Sequence, residues 1–294
     1  MSIDKISLNA TTAASVRATA FPMKRLAPLA LALAALLPLS AQAHMTWLLP
    51  NKAAFDGKEP VASFDAAVSE DLFNFERALK IETLRVTGPD GKLVEAENRS
   101  AARHRESFDV KLTQDGTYRV SNVSASVMGS YKLGGETKRF RGTMESLAKD
   151  VPAGAEITGL TVMSNRQQTF VSKDEPGKVA FAPEGDGLEL LPLGPVTDLS
   201  HGDKTKFRLV LDGKPSAGTQ IKLLREGNRY RYKMGEVDLK TDANGEFTVE
   251  WTEPGRYFVG AASGPARGPD APAGTREAPV KRASVSATFE VLPK

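Results

Sequence analysis

Beyond residue 44, apolar and polar positions alternate with a period of two. The runs are too short for helices, and Gly, Pro, Asp and Asn separate them. Residues 83–86 and 92–94 flank Gly88-Pro89-Asp90-Gly91 and predict a hairpin. Residues 108–112 alternate, and Gln114-Asp115-Gly116 turns them into Thr117-Tyr118-Arg119-Val120. That hairpin resembles the late hairpin of Ig-like sandwiches, where an aromatic packs at the start of a strand. Further strands are expected at 157–162, 168–171 and 179–181, with one short helix at 144–149.

From residue 193 the pattern becomes more regular. Strands are expected at 205–211, 219–225, 245–251, 255–261 and 284–291. Asp212-Gly213-Lys214-Pro215 and Thr241-Asp242-Ala243-Asn244-Gly245 supply turns between them. Residues 264–279 are rich in Pro and Gly, poor in apolar side chains, and read as a mobile loop. The expected fold is all-β, with two tandem antiparallel Ig-like β-sandwich domains at 44–192 and 193–294. Strands and helices do not alternate as a nucleotide-binding sheet requires, and the glycines are isolated turn residues rather than a phosphate-cradling loop.

The N-terminal 43 residues follow a different rule. Lys24-Arg25 precedes the apolar run at 26–39, and Ser40-Ala41-Gln42-Ala43 ends it with small residues at A-x-A spacing. This is the pattern of a cleaved signal peptide, and the run is shorter than the about 20 residues of a spanning helix. Cleavage after Ala43 makes His44 the first mature residue and places the protein in the periplasm. Met23-Lys24-Arg25 would be a normal start by itself, so translation from Met23 is expected; a long n-region is the alternative.

Removing the leader changes the charge. The whole chain has 39 Lys and Arg against 36 Asp and Glu, and the leader holds Lys5, Arg17, Lys24, Arg25 and Asp4. That leaves 35 of each sign, a balance that argues against nucleic acid or an anionic membrane as partner. With no cysteine, the chain has no lipid-anchor residue, disulfide, thiolate metal site or cysteine nucleophile. It also lacks a G-x-S-x-G elbow and an H-E-x-x-H helix, and pairs such as Glu70-Asp71 are not placed across a cleft by any pattern. A non-enzymatic protein without an organic cofactor is expected.

The chain has three histidines. An N-terminal His offers its α-amine and imidazole Nδ1, which close a six-membered chelate ring on one metal ion. The other ring nitrogen stays free for an outer contact. Such nitrogen donors suit Cu(II) or Ni(II). Two readings stand at His44: a metal chelate with Met45 beside it, or a histidine left by cleavage as the chain enters its first strand. If 104–108 is a strand, His104, Glu106 and Phe108 share a face and could add a nitrogen and an oxygen ligand; flanking Arg103 and Arg105 favour a plain surface histidine. His201 reads as a solvated turn residue. Met128, Met144, Met163 and Met234 show no M-x-x-M clustering and read as core or incidental. Tyr230 and Tyr232 alternate with Arg229, Arg231 and Lys233. This could be a carbohydrate or polyanion surface, although an alternating strand of this kind usually puts aromatics inside and cations in water.

The opening His44-Met45-Thr46-Trp47-Leu48-Leu49-Pro50 resembles the H-x-x-W-L-x-P start of an exported bacterial family catalogued as domain of unknown function 4198. Leu188-Glu189-Leu190-Leu191-Pro192-Leu193, the Asp212-Gly213-Lys214-Pro215 stretch and Thr241-Asp242-Ala243-Asn244-Gly245 fit the same family. That family includes NikM-like periplasmic components associated with nickel and cobalt uptake. The resemblance implies a periplasmic protein that binds nickel, cobalt or copper, or supports delivery to an inner- or outer-membrane transporter. It reaches His44 as a ligand. Two other classes stay open: an Ig-like envelope module binding a protein or glycan, and a copper monooxygenase. The last pairs an N-terminal His with a second His, for which only His104 or His201 could serve. Mass spectrometry of the exported protein should give a chain starting at His44; a mass retaining any part of 1–43 overturns the cleavage assignment.

Overall fold

The computed structural model describes residues 44–177, 181–265, 268 and 271–294. The leader lies outside these residues, as do Val179 and Ala180 of the expected strand at 179–181 and part of the expected loop at 264–279. The described chain is mostly strand, and residues 43–294 form one compact unit. The short helix expected at 144–149 is α1, Met144–Asp150, capped by the Thr143 side chain.

The first sheet has the order β1 (Met45–Pro50), β3 (Val61–Ser69), β7 (Glu106–Lys111), β6 (Glu97–Ala101), with β4 (Arg77–Ala78) also on β3. It faces β5 (Thr83–Thr87), β8 (Gly116–Leu133) and β10 (Glu156–Lys173). Leu48, Phe64, Phe108, Val110, Tyr118, Val120 and Val171 fill the space between. Phe64 and Phe108 sit opposite each other in register and stack at 5.0 Å. The expected strands at 157–162 and 168–171 are two parts of β10. It runs antiparallel to β8 over most of its length, and β9 (Glu136–Gly142) extends that ribbon. β2 (Ala54–Phe55) pairs in parallel with the end of β10, as β12 (Leu199–Ser200) does with the end of the last strand, Val280–Leu292.

The second sandwich sets β11 (Leu188–Pro192), β13 (Lys204–Leu211), β14 (Lys214–Pro215) and β17 (Glu246–Glu250) against β16 (Val237–Lys240), β15 (Gln220–Arg225), β18 (Gly255–Ser263) and β19 (Val280–Leu292). Thr205, Phe207 and Leu209 alternate inward on β13. Asp212 and Gly213 both have positive φ, 50° and 75°, giving the two-residue turn that matches strand twist between β13 and β14. Gly245 cannot be replaced cheaply: its φ is +72°, and a Cβ there would lie 2.5 Å from the Leu209 carbonyl oxygen.

Each sandwich carries the same corner. Tyr118 Oη donates to the Gln114 carbonyl at 3.0 Å and accepts from its amide at 2.8 Å. Tyr257 does so with Glu253, at 2.8 and 3.2 Å. These are tyrosine corners of the Ig-like type, and the D-G-T-Y-R-V run was the sequence trace of the first.

One sheet serves both sandwiches. Thr161 to Thr169 of β10 pair in parallel with Val280 to Thr288 of β19. Phe170 belongs to the second core and its neighbour Val171 to the first, so β10 gives one face to each. The expected boundary after Pro192 falls within the sequence span of the second core, which runs from Phe170 to Val291. Phe170, Leu188 and Leu190, all N-terminal to it, sit in that core.

Where the two sandwiches meet, the segment after β10 returns over β8 and β5. Arg166 is 1% exposed, and Glu184 receives it at 2.6 Å, Arg85 at 2.6 Å and Arg119 at 2.9 Å. Glu189, fully buried, accepts the amides of Glu184 and Gly185 at 2.9 and 2.8 Å. Burial opposes the Glu184 charge, but Arg166 first, then Arg85 and Arg119, outweigh it and hold its carboxyl below the usual range. A carboxyl whose folded pKa is below its unfolded value adds stability above that unfolded value, near 4.5, and loses it as pH falls through the folded value. Glu184→Gln should therefore cost about 3 kcal/mol at neutral pH, since it leaves buried guanidinium groups short of a partner. Denaturant unfolding of both proteins across the acid range checks this: the gap should narrow on acidification, and a gap independent of pH contradicts it.

Candidate functional site

β1 is an edge strand whose first residue, Met45, pairs with Ser69 at the end of β3. That register brings His44 alongside Glu70. His44 Nε2 lies 3.4 Å from Glu70 Oε1, and both side chains are about half exposed, at 52% and 51%. With Nε2 turned to the carboxylate, Nδ1 is the ring nitrogen on the main-chain side, where it can chelate together with the residue's own nitrogen.

Glu70 opens a tight loop, 70–76, that the rest of this end is built on. Its amide and that of Asp71 donate to the Glu76 carboxylate at 3.0 and 3.2 Å. Phe73 meets Trp47 edge-on at 5.5 Å, Phe75 meets it at 5.4 Å, and Trp47 Nε1 donates to Ser69 at 3.0 Å. Trp47 is fully buried, so the loop is pinned to β1 through a side chain two positions from Met45.

Met45 packs with Trp47, Leu49, Ala67, Leu72 and Leu224. It shares their face of β1 and is committed to packing. His104 is not on a strand: it lies in the turn before β7, and Nδ1 is 2.9 Å from the Glu76 carbonyl oxygen. The shared face expected for His104, Glu106 and Phe108 therefore does not form. Strand alternation begins only at Glu106, Phe108 is buried, and the Glu106 carboxylate accepts the Ile81 amide at 3.0 Å. Even so, His44 and His104 flank one loop, the first at Glu70 and the second at Glu76. Among the described residues no three His, Cys, Asp or Glu side chains converge as a metal cage. Two surface hollows of about 440 and 600 Å³ are lined by no histidine.

His201 cannot face His44. Its amide bonds Leu292 at the end of β19, whereas Thr46 meets Ser286; six strand residues separate these levels, about 20 Å at ~3.3 Å each. Tyr230 and Tyr232 are not on a strand either. Asn228–Tyr230 forms a 3-10 turn, and the two tyrosines are 85% and 111% exposed, the reverse of aromatics turned inward. The sequence offered Glu70 only as half of the Glu70-Asp71 pair and not as a partner of His44, because β1 and β3 are both mainly apolar and a one-residue slip in their register would put a different side chain there.

The family model described as domain of unknown function (DUF4198) matches residues 41–263. No curated protein matches the chain. Among solved structures, trypsin-activated alpha-2-macroglobulin from Escherichia coli is similar at 15% identity and a TM-score of 0.22, over 84% of this chain and 16% of that one. The Yersinia pseudotuberculosis adhesin InvE is similar at 10% identity and 0.21, over 84% and 61%. The D0-D1 domain of Intimin is similar at 15% and 0.21, over 85% and 100%. The chain thus spans less than two thirds of the first two.

Proposed function

Because the chain belongs to the DUF4198 family, we propose that it is a periplasmic protein that binds nickel, cobalt or copper and hands it to a membrane transporter, with the chelate at His44. The observation that carries this reading is the 3.4 Å approach of Glu70 to His44 Nε2. A carboxylate on the outer ring nitrogen orients the imidazole and is the usual partner of a metal-bound histidine. In the neutral tautomer with the proton on Nε2, Nδ1 presents its lone pair beside the α-amine that cleavage would free. That amine has an ordinary pKa of roughly 8 and loses its proton cheaply at neutral pH.

Two nitrogens leave most of the coordination shell of a tetragonal ion open. An open shell suits cargo better than storage, because a transporter can add its own ligands before the chelate lets go. His104 lies outside loop 70–76, in the turn before β7, with Nδ1 on the Glu76 carbonyl. No catalytic group is assigned.

The test is calorimetric titration with Ni(II) and Cu(II) of four proteins: the form starting at His44, one with Met before it, His44→Ala and Glu70→Gln. An added residue turns the amine into an amide, so the extended form should bind roughly 100-fold more weakly, ~2.7 kcal/mol. Glu70→Gln should weaken binding about 10-fold by loosening the ring. Equal affinity of the first two forms removes the amine from the ligand set and sinks the chelate. If none of the four binds, the metal reading gives way to that of an Ig-like envelope module.

A further inference from the structure

The loop between β15 and β16 is held in place at several points, but not through its two tyrosine side chains. Gly227 leads in and Gly235 leads out, both at positive φ, 76° and 70°. The Asn228 side chain, buried, accepts the Leu72 amide at 3.1 Å, and Arg229 lies 3.7 Å from Asp71. Arg231 turns back under the loop and donates to the Arg225 and Met234 carbonyls at 2.7 and 2.9 Å. Met234 packs against the Trp47 cluster. Between these anchors the Tyr230 amide donates to the Gly227 carbonyl at 3.0 Å, but the side chains of Tyr230 and Tyr232 stand out with no hydrogen-bond or ring partner among the described residues.

Such a loop has already given up its conformational freedom before anything binds, which lowers the cost of binding. What it presents is two flat, amphipathic faces, each able to cover roughly 150–250 Å² of apolar surface. The rings are two residues apart, so their Cα atoms are at most about 7 Å apart, the reach of neighbouring units in one polymer. A protein partner usually covers about 800 Å² around an apolar centre. Here Arg229, Lys233 and Glu236 are exposed charged residues of the same short loop, and the two tyrosine side chains project almost whole. That shape fits a narrow ligand.

We propose that this loop is a glycan-binding tip, in which Tyr230 and Tyr232 stack on the C–H faces of adjacent sugars in a β-linked polysaccharide. Pyranoses with all ring substituents equatorial offer the flat apolar face that stacking needs. The proposal is independent of the metal chelate.

The experiment is co-sedimentation of the exported protein with two insoluble glycans of this class, chitin and purified peptidoglycan sacculi. Wild type is compared with Tyr230→Ala/Tyr232→Ala, Tyr230→Phe/Tyr232→Phe and Lys233→Ala, and thermal melts confirm that each variant is folded. The wild type should sediment with at least one glycan, and the alanine pair should bind roughly tenfold more weakly or worse. The phenylalanine pair should stay within about threefold, because it keeps the faces, and Lys233→Ala should match wild type. Raising salt to about 0.5 M should change little, since stacking is not screened as exposed charge is. Wild type that sediments with neither glycan overturns the proposal, and so does an alanine pair that binds as wild type. Binding that salt or Lys233→Ala abolishes assigns the contact to charge and overturns it equally.

Discussion

The parallel pairing of β10 with β19 is the interaction on which the rest of the molecule depends. It joins strands whose paired stretches are separated by more than a hundred residues and makes one sheet the wall of both sandwiches. A strand buried on both faces must pair most of the polar groups it carries, and on β10 Arg166 Nε and Ser172 Oγ are buried without a partner among the described residues. Others are paired across both faces: Gln167 reaches Asn122 and Thr46 on one side, and Gln168 bonds both the amide and the carbonyl of Leu190 on the other. Thr169 and Thr288 bond each other at the strand junction, and Thr288 also donates to Leu48. These polar contacts fix a register that apolar packing alone would leave free to slip by two.

The shared sheet also explains the charge cluster at the seam. The segment from β10 to β11 has to cross from one core to the other over the flank of β8, where Arg119 and Arg166 are buried. Glu184 and Glu189 are both needed there: the first answers three guanidinium groups, the second ties down the turn that carries the first. Burial pushes the Arg119 guanidinium below its ordinary value, and Glu184 and Glu189 offset part of that push. The crossing is thus fixed in direction by ion pairs that neither sandwich would need alone.

At the other end, loop 70–76 couples features that lie far apart in sequence. It meets His44 through Glu70, His104 through the Glu76 carbonyl, and the tyrosine loop through Asp71 and Leu72. Trp47 anchors it from beneath. A change in how this loop sits would reach the chelating candidate and the projecting tyrosines together, while both sandwich cores stayed as they are.

Period-two alternation and turn chemistry were enough, by themselves, to specify two Ig-like sandwiches, because side-chain direction in a strand follows position in the chain. Asp212-Gly213 and the two Gly-x-Tyr corners are local in the same sense, and so is the opening from His44 to Pro50. Other features could be decided only in three dimensions. The pairing of β10 with β19 was invisible, since nothing in either strand names its partner. The face shared by His104 and Glu106 failed because a turn, set by the Glu76 carbonyl and the Arg103–Ala78 contact, replaced the expected strand. Tyr230 and Tyr232 went outward because Asn228, Arg231 and Met234 took the inward positions. Glu70 reached His44 through a register that packing on both faces of β1 selects. Sequence determines which residues can form an element and which way they alternate; long-range register and the competition for buried space determine what each finally touches.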